Sequence, residues 1–249
     1  MRSYEQYCSL AKALDVVGDR WTLLIVRELL SRGTCRYTDL QRGLPGIATN
    51  LLAERLRHLE EHGIVTKSKA PPPVATTVFR LTPRGEELQS VVFALGRWGL
   101  PLLPRQPSGE VFQSHWFALP LRRVLGERTI AGPPTTLEVR TGDEPITITS
   151  SASGVEVHVG EAHAPDAVLT GTPALVMELL LGVSTLDGVR AQGLVIEGSE
   201  DAIVGFLSTS DAASAAPLDD EALRAHSVKR RHTEQELSLI HISEPTRPY

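Results

Sequence analysis

Apolar residues recur along this chain first with the period of helices and then with the period of strands. Between Thr49 and His62, Leu52, Leu56 and Leu59 fall at i, i+4 and i+7, while Asn50, Glu54 and Arg57 take the opposite side. That spacing predicts a helix with one face in a core and one face free. A Gly43-Leu44-Pro45-Gly46 turn leads into it, and Gly63 stands where a helix C-cap is wanted. Upstream, Tyr7, Leu10, Leu14 and Val17 predict a short amphipathic helix over residues 3–17. Gly18-Asp19 then interrupts, with Asp19 a natural N-cap for a helix over residues 20–30. Trp21, Leu24, Ile25, Val26, Leu29 and Leu30 make that helix apolar over most of its girth, as expected of a central core helix. Residues 38–42 add a short helical stretch before the turn.

Past Gly63 the period shortens. Residues 64–69 and 74–82 are β-rich and are separated by Pro71-Pro72-Pro73, which cannot continue a ladder, so a hairpin with a stiff tip is expected. Thr82-Pro83 is a helix start, and Leu88, Val91, Val92, Leu95 and Trp98 form a stripe on a helix running to about Leu100. Such a stripe has too little partner surface in so small a domain. It reads as a dimerisation helix, packing with the first helix against a second subunit. Two short helices joined by a turn and followed by a hairpin form a winged helix-turn-helix.

The second half has a different pattern. Residues 112–125 read as a helix interrupted or bent at Pro120. Residues 136–140, 146–150 and 155–159 alternate apolar and polar, predicting three short antiparallel strands. Residues 167–171 are a further β-rich piece, Thr172-Pro173 starts a buried helix to Leu181, residues 189–197 return to strand-like sequence, and residues 201–207 close with a short helix. The expected fold class is α+β: an N-terminal winged helix-turn-helix domain (1–105), a linker and helix (106–133), a small α+β domain (134–208) and a disordered tail (209–249). Within that tail, residues 237–249 resemble translated adaptor or vector sequence and are set aside from the fold.

Charge changes the picture. The chain of 249 residues carries a net charge of -5, which argues against a nucleic-acid partner until it is divided. Residues 1–105 hold 15 Lys+Arg against 10 Asp+Glu, and the remainder holds 10 against 20. A basic first half and an acidic second half fit one module that meets phosphate and one that does not. No apolar run is long enough to cross a bilayer and no basic-then-apolar leader opens the chain, so a cytoplasmic protein without membrane contact is expected. Two cysteines cannot make a disulfide framework, and neither they nor the eight histidines have metal-ligand spacing; the histidines are expected to face solvent. Neither a phosphate loop nor a nucleophile elbow is present, and no enzyme activity or cofactor is expected.

These segments carry a resemblance. Cys8-Ser9-Leu10-Ala11-Lys12-Ala13-Leu14, Gly18-Asp19-Arg20-Trp21-Thr22-Leu23-Leu24-Ile25, the stretch from Pro45-Gly46-Ile47 to Arg57-His58-Leu59-Glu60, and Phe79-Arg80-Leu81-Thr82 resemble the HxlR-type branch of winged-helix bacterial regulators, related to MarR. The resemblance spans roughly residues 4–103 and implies a dimeric, sequence-specific DNA-binding protein. Where the family usually has Ser then Pro, this chain has Ala48-Thr49, which shifts the expected cap to Thr49. The order of elements over 134–208 resembles a sterol-carrier-protein-type domain, which implies an apolar cavity and hence an apolar small-molecule ligand.

The candidate contacts to double-stranded operator DNA are Thr49, Asn50, Arg55 and Arg57 on the recognition helix and Lys67, Lys69, Thr76 and Thr77 on the hairpin. Short polar residues at a helix start reach base edges, Asn suits adenine, and Arg suits guanine or phosphate. Arg55 lies nearer the apolar stripe and reads equally as a salt-bridge partner of neighbours on the Glu54 side or of Asp39. Cys8 matches a cysteine that some HxlR-type regulators use to sense oxidants; a buried small hydrophobe is the competing reading. The function so read is a homodimeric transcriptional regulator tuned by an apolar ligand. The alternative is a lipid or sterol carrier whose first half is a dimerisation scaffold.

Overall fold

The computed structural model describes residues 3–70, 76–103, 109–126, 128 and 133–207, all within a unit spanning Met1–Ser210. The proline loop at 71–73, part of the 106–133 join and the tail from 208 onward lie outside the described residues.

The first core forms where the helical stripes converge. It is built by α1 (Ser9–Val17), α2 (Thr22–Arg32), α3 (Tyr37–Gly43) and α4 (Thr49–Glu61), followed by α5 (Pro83–Glu86) and α6 (Leu88–Gly99). Ile25, Val26 and Leu29 of α2 meet Leu40 of α3 and Leu52, Leu56 and Leu59 of α4, all at most 3% exposed. Strand β1 (Thr34–Arg36) joins the hairpin β2 (Val65–Lys69) and β3 (Thr77–Leu81) in an antiparallel sheet of order β1-β3-β2. The sequence pattern missed β1, because three residues are too few to show alternation. Thr82 caps α5, its hydroxyl accepting from Gly85 N–H at 3.1 Å, with Pro83 first in the helix.

Several boundaries differ from expectation for identifiable reasons. Helix α1 begins at Ser9 instead of residue 3, because the Ser3 hydroxyl and Tyr4 N–H bind the Asp15 carboxylate and hold that segment off the helix axis. Asp19 does not cap α2. Trp21 occupies the cap position in a left-handed conformation (φ 82°), and Asp19 turns its carboxylate to Arg55. The cap position of α4 is Ala48, so Thr49 is the first helical residue and does not cap the helix. The expected helix from Pro83 is broken into α5 and α6 at Glu87 and passes into a 3-10 turn at Leu100–Leu102. Leu24 on α2 is 39% exposed, so the core helix is not apolar-buried all round.

The second core is one-sided. A 3-10 turn (Ser114–Phe117) runs straight into α7 (Ala118–Leu125); Pro120 does not bend it, since it lies in the first α-helical turn, where an N–H is least needed. Strands β4 (Thr135–Arg140), β5 (Ile146–Ser151), β6 (Gly154–Val159), β7 (Ala167–Thr170) and β8 (Val195–Gly198) form a sheet of order β6-β5-β4-β7-β8. Among the described residues, β4 and β7 are the one parallel pair of this sheet. The register sets Leu137 opposite Ile148 and Ala167, and Val139 opposite Ile146 and Leu169, which makes one continuous apolar face. Helices α7, α8 (Pro173–Leu180), α9 (Leu186–Ala191) and α10 (Glu200–Leu207) bury their apolar residues in the same cluster. Helix α9 corrects the strand expected from Val189: the Thr185 hydroxyl accepts from Gly188 N–H at 3.1 Å, Val189 turns inward, and Gly193 (φ 102°) ends the segment before β8.

Candidate nucleic-acid interface

The exposed start of α4 follows from what precedes it. Gly46 adopts φ 88°, a value that L side chains rarely adopt, and Ile47 drops into the core at 7% exposure, anchoring the turn. Without a cap side chain at Ala48, the first turn of α4 is held from outside. The Tyr37 hydroxyl donates to the Thr49 carbonyl at 2.6 Å, and Gln41 Nε2 donates to Thr49 Oγ1 at 3.0 Å. Thr49, Asn50 and Arg57 are exposed, and among the described residues no carboxylate pairs with Arg57. Arg55 is different: its side chain is 13% exposed and its guanidinium sits 2.5 Å from Asp19 and 3.5 Å from Glu54. Asp39, the other partner considered, instead accepts from the Arg36 backbone N–H at 2.9 Å.

On the hairpin, Lys69 lies opposite Thr77, and Ala70 N–H bonds the Thr76 carbonyl at 2.8 Å, which continues the ladder toward the tip. Lys67 and Lys69 are exposed; Lys67 Nζ reaches Glu60 Oε2 at 2.8 Å, leaving Lys69 unpaired among the described residues. Thr77 is exposed and Thr76 half-buried. The structure thus brings Thr49, Asn50 and Arg57 to one free helix face and Lys67, Lys69 and Thr77 to one strand ladder, and ties Arg55 inward.

Behind this surface is a group of charges that the sequence reading did not anticipate. Glu28 of α2 is fully buried. Its Oε1 accepts from Arg27 Nη2 and from Trp116 Nε1, both at 2.7 Å, and its Oε2 is 2.6 Å from His115 Nε2. The other ring nitrogen of His115 lies 3.0 Å from Arg32 Nη2. A guanidinium can only donate, so Nδ1 accepts and the imidazole proton sits on Nε2, pointing at Glu28. Arg32 continues to Glu144 in the β4–β5 turn, and the Arg27 guanidinium stacks 4.1 Å from the Trp116 ring. His115 is completely buried, which corrects the expectation that the histidines face solvent. The available signal was Glu28 itself, since a carboxylate inside an otherwise apolar helix is rarely buried without partners. Among the described residues no group of three or more His, Cys, Asp or Glu could hold a metal ion, and no helix is long and apolar enough to cross a membrane.

The two cysteines have opposite surroundings. Cys8 is exposed at the start of α1, where the backbone N–H groups of Ala11 and Leu10 hold its thiol below the ordinary value. Cys35 is buried beside α2, and burial pushes its thiol up to about 12.

The HxlR-like helix-turn-helix family model matches residues 16–107. An uncharacterized HTH-type transcriptional regulator, sll1512 of Synechocystis sp., is 34% identical over 99 residues, which is 40% of this chain and 73% of that protein. Another, YvaP of Bacillus subtilis, is 32% identical over 87 residues, 35% of this chain and 80% of its own length. Among solved structures, the reduced form of the transcriptional regulator YodB from B. subtilis aligns with a TM-score of 0.35 and 28% identity, over 41% of this chain and 100% of that one.

Proposed function

This chain belongs to the HxlR-like helix-turn-helix family of transcriptional regulators, and from that we propose that it binds operator DNA as a homodimer, with α4 as its recognition helix. The observation that carries this reading is the free face of α4, where Thr49, Asn50 and Arg57 stand exposed beside the basic hairpin residues Lys67 and Lys69. Thr49 and Asn50 read base edges, Arg57 reaches a base or a phosphate, and Lys67, Lys69, Thr76 and Thr77 contact the backbone or minor groove. Arg55 contributes chiefly by fixing α4 to Asp19.

The dimer reading rests on unpartnered apolar surface. Helix α6 packs Leu88, Val92 and Phe93 half-buried against the first core, but Val91, Leu95 and Trp98 are 42%, 47% and 73% exposed, Leu10 on α1 is 65% exposed, and Tyr7 just before α1 is fully exposed. A two-fold dimer through these helices presents two copies of α4 to half-sites about 34 Å apart. The meander, the parallel β4–β7 crossover and the covering helices support a sterol-carrier-like second domain whose apolar ligand tunes operator affinity in the cytoplasm. The exposed, acid-shifted thiol of Cys8 supports a second input from oxidants.

Selection of bound DNA from a random pool with the full chain tests this. The expected result is an enriched two-fold sequence whose affinity falls steeply with salt, and Arg57→Ala lowers both affinity and the magnitude of the salt slope, the latter by about one. A pool without enrichment, together with lipid extracted from the same protein, would establish the carrier reading instead.

A further inference from the structure

The buried charges around Glu28 join the two halves of the chain, beside Leu119 of α7, which is buried in the first core, and Arg122, which donates to the carbonyls of Leu30 and Ser31 at the end of α2. On the helix-turn-helix side, the carboxylate presses on the last residue of α3: a Cβ at Gly43 would sit 2.0 Å from Glu28 Oε2. On the other side, His115 and Trp116 belong to the 3-10 turn that opens the second domain, and each spends a ring N–H on the same carboxylate. A third contact runs parallel to these. Gln113, 9% exposed, donates from Nε2 to the Arg42 carbonyl at 2.9 Å, so the C-terminal end of α3 is held directly by the second half of the chain. The same helix supplies Tyr37, its first residue, and Gln41, one residue before Arg42, which hold Thr49 at the start of α4.

Helix α3 is therefore a seven-residue lever, held at Arg42 by the carboxy-terminal half and holding the recognition helix through Tyr37 and Gln41. We propose that Glu28, His115 and Gln113 are positioning residues for operator recognition, through which the second domain sets the seat of α3 and hence the presentation of Thr49 and Asn50. The proposal rests on the reading of α4 as the recognition helix. It assigns the second domain a physical route to that helix: any state of the domain that moves residues 113–116 relative to α2 changes the contacts that fix α3, and a ligand preferring one such state shifts operator affinity by its differential binding.

The chemistry of the latch dictates the test. His115 uses one donor and one acceptor, and a glutamine side chain offers both, whereas alanine offers neither. In the full chain, with an operator selected by the wild-type protein and a scrambled duplex of equal length, His115→Ala is expected to reduce the ratio of cognate to scrambled affinity by about tenfold, and His115→Gln to recover most of it. A merely structural role would reduce the folded fraction and so lower both affinities together, leaving the ratio unchanged. An unchanged ratio in His115→Ala overturns the proposal, as does equal loss in His115→Gln. If His115→Ala does not fold, Gln113→Ala removes a single hydrogen bond to α3 and decides by the same ratio: a fall supports the latch and an unchanged ratio overturns it. Failure of the wild-type protein to select any sequence would overturn the assignment of α4 first, so the two failures are distinguishable.

Discussion

A methyl group added to Gly43 would lie 2.0 Å from Oε2 and 2.6 Å from Cδ of Glu28, two atoms of a carboxylate that is itself fully buried. In a helix, exchanging Gly for Ala ordinarily stabilises by about 0.5–1 kcal/mol. Here the sign is reversed, because the carboxylate cannot retreat without losing His115 and Trp116. Gly43→Ala is expected to destabilise by about 1–3 kcal/mol, read as a lower denaturant midpoint at unchanged slope. A midpoint at or above wild type would show that the carboxylate moves freely.

Arg55 and Arg57, two residues apart on α4, are expected to fail in different assays. Arg55 is mostly buried against Asp19, so Arg55→Ala should lower stability by about 1–3 kcal/mol, as seen in thermal or denaturant unfolding. Arg57 is exposed. Arg57→Ala should leave unfolding within about 0.5 kcal/mol of wild type while weakening DNA binding. Equal effects of both on unfolding would contradict the division.

The cysteines give a pH-dependent prediction in each direction. Iodoacetamide should modify Cys8 at a pH where Cys35 is untouched, because backbone N–H groups favour the Cys8 thiolate and burial disfavours that of Cys35. Peptide mapping of native protein after a short exposure reads this out, and labelling of Cys35 at a comparable rate would contradict it.

Cys35 also links stability to alkali. Its thiol keeps its proton to about 12 when folded, against 9.0 ordinarily, so between those values the unfolded chain binds fewer protons than the native one. The stabilisation is complete below the ordinary value and is lost as pH rises through this window, by up to about 1.4 kcal/mol per pH unit. Cys35→Ala should flatten the stability profile there by that slope; an identical profile in the variant would remove Cys35 as the cause.

Charges placed on α6 should separate the subunits. Leu95→Glu and Trp98→Glu alter side chains that are 47% and 73% exposed, so neither disturbs the first core. Sedimentation is expected to show monomer with a retained circular dichroism spectrum, and operator affinity to fall with the loss of the second half-site. A dimer that persists in both variants would move the interface elsewhere.

Much of the architecture was legible because each domain has one buried face. Leu52, Leu56 and Leu59 declare α4 by spacing alone, and the alternation through Ile146 and Ile148 declares a sheet covered on one side. Thr82-Pro83 and Gly63 mark a helix start and a helix end by local chemistry that needs no tertiary partner. The exposed candidates Asn50, Arg57 and Lys69 could be named for the same reason, since a face that is not core must be polar.

What sequence could not decide were choices between competing partners. Asp19 is equally able to cap α2 or to pair with Arg55, and only the approach of α4 selects the second. Thr49 could have been a cap, yet Tyr37 and Gln41 approach from α3 and hold it as the first helical residue. Most of all, Glu28 meets His115 and Trp116 across 87 and 88 residues of chain. Periodicity reports which face of an element leaves water, because burial repeats every turn or every second residue. It is silent on single polar contacts between distant segments, which repeat nowhere and exist only once the two cores have docked.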